Sequence, residues 1–126
     1  MKELIARLEK ATGPDRELDV AIAFAVGLIR ERDGNYLYAT GNDSDMVVEP
    51  NEYDDHLVAQ PLRYFTSSID CALSLVPEGW IWDLASTGAA WVMPDGDIEG
   101  QIVVSGIKHP AIALVIAALR AREAMK

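Results

Sequence analysis

The segment closing the chain constrains the fold more than any other. Pro110 suits the first position of a helix, and Ile112, Val115, Ile116 and Leu119 then recur on one stripe. Ala111, Ala113, Ala117 and Ala118 carry the apolar character around much of the remaining circumference. A helix of this kind, expected from Pro110 to about Ala124, has to be covered on more than one side. The cover is either a sheet with a neighbouring helix or another subunit.

The preceding segments supply candidates for that cover. Trp80-Ile81-Trp82-Asp83-Leu84 and Ala89-Ala90-Trp91-Val92-Met93 flank Ser86-Thr87-Gly88, and Pro94-Asp95-Gly96-Asp97 separates the second from Gln101-Ile102-Val103-Val104. This spacing predicts an antiparallel meander. Trp80 and Trp82 share one strand face, so one is buried and the other partly exposed only where that face reaches a sheet edge.

Towards the amino terminus, Leu4, Ile5, Leu8 and Ala11 predict a short helix, with Gly13 as its C-cap and Pro14 barring continuation. Asp15 caps a second helix whose apolar face is Leu18, Ile22, Ala25 and Ile29. Arg30 and Arg32 would complement its carboxyl end before Asp33-Gly34 stops it. Ser67 facing Asp70 offers a capping box for a third helix running to Val76, which Pro77-Glu78-Gly79 breaks. Residues 36–62 read as a variable, loop-rich insertion holding at most one or two short strands. The expected fold is a single α+β domain over residues 1–126, with an antiparallel sheet of about three to four strands layered between helices as an α/β/α sandwich.

Composition narrows the functional classes. Half of the 126 residues are apolar and a quarter are charged, the balance of a folding globular chain. The net charge of −9 argues against nucleic acid or an anionic membrane as the main partner, since both need a basic patch. The longest apolar run, Val20 to Ile29, is about half of what a bilayer span requires. Met1-Lys2-Glu3-Leu4-Ile5 lacks the features of a signal peptide, so a cytoplasmic location is expected. The single cysteine, Cys71, permits no internal disulfide and fits a reducing compartment.

The chain carries no phosphate-cradling glycine loop with Lys-Ser/Thr, no nucleophile elbow, no histidines paired one helical turn apart and no dinucleotide fingerprint. His56 and His109 are the available neutral-pH acid-base groups, and neither has a sequence-local partner. Cys71 reads as a small packed hydrophobe within the third helix. The acidic run Asp43, Asp45, Glu49, Glu52, Asp54 and Asp55 lacks the spacing of a calcium loop and reads as solvated. A non-enzyme with neither metal nor cofactor is therefore expected.

One pattern points to binding. Arg63 and Lys108 precede the third and last helices, where a cation opposes the positive end of the helix dipole. With the free N–H groups after Thr66 and Pro110 they can hold an anion such as phosphate, and Ser67 lies at the same helix start. His109 is a third donor, and Tyr64, Trp82 or Trp91 can stack on a flat ring, so a nucleotide-like ligand fits. The plainer alternative makes Thr66 and Ser67 caps, Lys108 a loop cation and the tryptophans core or interface anchors.

The stretch Tyr64-Phe65-Thr66-Ser67-Ser68-Ile69-Asp70-Cys71-Ala72-Leu73-Ser74-Leu75-Val76-Pro77-Glu78-Gly79-Trp80 resembles the phage ABA sandwich domain family of small phage and prophage proteins. The ending from His109 to Arg122 is similar to that family's closing helix, and Leu4 to Asp15 to its opening. The resemblance implies an antiparallel sheet between helical layers. It implies no settled activity and carries no site residue over. Two functions follow as expectations. One is a non-catalytic phage accessory protein that binds a small anionic, nucleotide-like ligand, built as a homo-oligomer and sequestering a host defence signal. The other is a protein-interaction module that inhibits or adapts a host or phage protein.

Overall fold

The computed structural model describes residues 1–32, 35–38, 46–48, 59–61, 63–85 and 88–125. In chain order these form α1 (Lys2–Lys10), α2 (Arg16–Ala25), β1 (Ile29–Arg32), β2 (Asn35–Tyr38), β3 (Met46–Val48), β4 (Ala59–Pro61), α3 (Ile69–Leu73), β5 (Trp80–Ala85), β6 (Ala89–Pro94), a 3₁₀ turn (Ile98–Gly100), β7 (Ile102–Val104) and α4 (Pro110–Ala124). The fold is α+β, and the predicted meander is present as the antiparallel sheet β5-β6-β7.

The core is built around α4. Every residue from Ala111 to Leu119 is buried, because β6 and β7 pack on this helix from the sheet side while α1 and α3 also lie against it. The sheet and neighbouring helices thus provide the cover that its composition demanded. Polar tethers hold the layers in place at the rim: Arg120 pairs with Glu9 of α1 at 2.6 Å, and Arg122 Nε donates to the Leu75 carbonyl at 2.7 Å. The sheet face towards α4 carries the buried Ala90, Val92 and Val104. Trp80 packs against this core, whereas Trp82, two residues along the edge strand β5, is 43% exposed. The edge position separates the two tryptophans as the two-residue repeat requires.

Four local expectations change. The second helix stops at Ala25 and not near Arg32. Gly27, at φ +75°, donates its N–H to the Phe24 carbonyl while Leu28 N–H reaches Ala23, the paired bonds of a glycine-terminated helix end. Arg30 and Arg32 therefore belong to β1, and Ala25 is exposed. The first helix ends through an extended Ala11, without the glycine cap expected at Gly13. In the third helix Ser68, and not Ser67, is the cap, its Oγ accepting from Cys71 N–H, and the helix ends at Leu73. Finally, among the described residues the stretch from Asn35 to Pro61 contributes three short strands, β2, β3 and β4, that join β1 in a mixed sheet ordered β1-β2-β3-β4, with β3 and β4 parallel. Alternation over three or four residues is too brief a signal to reveal such pairing.

Candidate functional site

The residues expected to bind an anion occupy three places. Near the start of α2 lie Arg63, Tyr64, Thr66 and Ser67. Arg16 of α2 stacks its guanidinium on the Tyr64 ring at 3.8 Å and donates to the Arg63 carbonyl at 3.2 Å. Thr66 is 1% exposed and its hydroxyl donates to Asp19 Oδ1 at 2.8 Å and accepts from Asp15 N–H at 2.9 Å. Its own N–H donates to the same Asp19 oxygen at 2.8 Å. The N–H groups of Ser67 and Ser68 turn back to the Tyr64 carbonyl. The donors expected to face an anion after Thr66 are thus engaged within the protein, because a turn, and not a helix start, occupies Tyr64 to Ser67.

The second place is the entry to α4. His109 Nε2 donates to the Thr12 carbonyl at 2.9 Å, and its ring packs over Gly13. Lys108 beside it is exposed. His109 thus acts as a strut between α4 and the α1–α2 connection. The third place is the three-stranded sheet, where Trp82 opposes Val92 and Trp91 opposes Asp83 and Val103. Directly opposed residues share a face and neighbours alternate, so Trp82 and Trp91 lie on opposite faces.

Two open clefts lie elsewhere, and none of these eight residues lines either. One, of about 420 Å³, runs along the last turn of α1 and the connection to α2, past Arg7, Lys10, Thr12, Gly13, Asp15 and Leu18. The other, of about 390 Å³, lies between the ends of α2 and α4 and the turn before β5, with Val26, Pro77, Met125, Glu78 and Arg122 in its walls. Cys71 is half-buried and packs against the core. Among the described residues no three His, Cys, Asp or Glu side chains form a group that could hold a metal, and no helix is long and apolar enough to cross a membrane. His56 and the acidic run from Asp43 to Asp55 lie outside the described residues.

Two features escaped the sequence reading. The first is Asp19, which is 1% exposed and also takes Arg16 Nη1 on its second oxygen at 2.7 Å. Its signal was available: three residues before Ile22 and four before Ala23, it falls on the buried stripe of α2. The second is the sheet face away from α4, which presents Ile81 and Val103 at 39% and 58% exposure, with Trp91 and Met93 half-buried between them. Helical cover lies on the other face.

No protein-family model, curated protein or solved structure matches this chain.

Proposed function

We propose that this protein is a non-catalytic interaction module whose working surface is the outer face of the β5-β6-β7 sheet. The observation that carries this reading is the row Ile81, Met93, Trp91 and Val103 on a face that no helix covers among the described residues. An aromatic and a methionine set between aliphatic side chains make an interface centre of the usual composition.

Charge gives the partner's chemistry. From Tyr64 to Ile107 the chain has no lysine or arginine but six carboxylates, of which Asp83 is on this face and Asp95, Asp97 and Glu99 are exposed beside β6 and β7. Such a surface repels its own copy and suits a protein with an apolar patch bordered by basic side chains. The phage-family resemblance favours an accessory role of this kind. The nucleotide-like ligand reading ranks second because its cations and aromatics line neither of the two clefts described above.

The test is capture of partners on the full chain, followed by titration of the purified partner against wild type and Ile81→Lys/Val103→Lys. Loss of at least about tenfold in affinity in the variant, and weakening of the wild-type complex by salt, are expected. An unchanged, salt-insensitive affinity would place the interface elsewhere. A dimer in light scattering that Val103→Lys dissolves would assign the face to a second copy.

A further inference from the structure

We propose that the cleft between the ends of α2 and α4 binds a small zwitterion with an apolar body, of the α-amino acid class. Three observations lead there, none of them involving the outer sheet face.

First, Arg122 is held in place. Its Nε donates to the Leu75 carbonyl at 2.7 Å, which fixes the plane of the guanidinium. Its two terminal nitrogens have no partner among the described residues, although the side chain lines the cleft. A guanidinium anchored by one nitrogen and open at the other two is arranged for bidentate contact with a carboxylate.

Second, Glu78 lines the same cleft and forms no ion pair with Arg122. It stands on a tight turn closed by Trp80 N–H to the Pro77 carbonyl at 3.1 Å, with Gly79 at φ +86°. Two opposite charges that line one cleft without meeting leave a place for a ligand that carries both. A simple carboxylate would be attracted by Arg122 and repelled by Glu78, and a simple amine the reverse. A zwitterion satisfies the two together.

Third, most of the remaining wall is apolar, with Ala25, Val26, Pro77 and Met125 among its residues. Met125 is 59% exposed, and an unbranched thioether side chain adapts readily to a ligand's shape. A volume of about 390 Å³ is near the lower end of ligand pockets, roughly 300–1,000 Å³, and suits an amino acid better than a nucleotide.

The experiment is a heteronuclear NMR titration of the full chain with L-leucine, with 4-methylpentanoate, which lacks the amine, and with 3-methylbutylamine, which lacks the carboxylate. Leucine is expected to shift the signals of Val26, Glu78 and Met125 and to bind at least about tenfold more tightly than either analogue. Glu78→Gln, an exposed change on a turn, should abolish the preference for leucine over 4-methylpentanoate and keep that over the amine. Arg122→Gln should do the converse. Equal affinity for the three probes, an unaltered preference in Glu78→Gln, or no shift with leucine at concentrations on the order of 10 mM would overturn the proposal.

Discussion

Asp19 illustrates what a buried carboxylate requires. Its Oδ1 accepts both the N–H and the hydroxyl of Thr66, and its Oδ2 accepts from Arg16, so its charge is met from the turn at Tyr64–Thr66 and from its own helix. Asp19→Asn would lose the charge attraction to Arg16 and weaken both Thr66 contacts, at a cost of about 3 kcal/mol. Thr66→Val would take one of three donors from Asp19 and the side-chain acceptor from Asp15 N–H, costing about 2 kcal/mol. Urea unfolding of the two variants checks this order, and equal midpoints would contradict it. Thr66 was legible as a hydrogen-bonding residue, expected as a helix cap or beside an anion. Its partner was not, because Asp19 lies 47 residues away and a hydroxyl suits a cap, a ligand or a buried carboxylate equally well.

At the scale of elements, glycines decide where segments turn. Gly27 ends α2 because its positive φ costs an L side chain energy that glycine avoids, and Ile29 is then free to enter β1. Gly88 is under a stricter demand: besides φ +89°, a Cβ there would be driven into the carbonyl oxygen of Ile107. Gly96 has a similar φ of +82° but open space around it. Gly88→Ala is therefore expected to lower stability by about 3 kcal/mol and Gly96→Ala by about 1 kcal/mol, the difference being the steric clash with backbone. Thermal melts of the two variants measure it. The strands β5, β6 and β7 were legible because turn residues punctuate them at even spacing. The end of α2 was misjudged because the apolar residues around Gly27 continue at a spacing a helix also accepts, and only the reversal of the chain into β1 shows that it has stopped.

For the whole molecule, α4 is the element on which the other layers depend. Ile116 is fully buried, with α4 held between the sheet and the flanking helices, so Ile116→Ala would leave a cavity that neither side can easily close. A loss of about 3 to 4 kcal/mol in denaturant titration is expected, against well under 1 kcal/mol for the exposed Val103→Ala. The sequence by itself determined that this helix must be enclosed, that a three-stranded meander follows Pro77, and that Asp15 caps a helix. Each depends on side-chain periodicity or on bonds within a few residues, and such forces act wherever the segment lies. Only the tertiary structure decided that Thr66 is spent on Asp19, that His109 braces Thr12, that Trp82 and Trp91 part to opposite faces, and that α4 packs on the Val92 face of the sheet. Those outcomes depend on which surfaces dock across tens of residues, where many pairings satisfy the same local preferences and the mutual burial of whole layers selects among them.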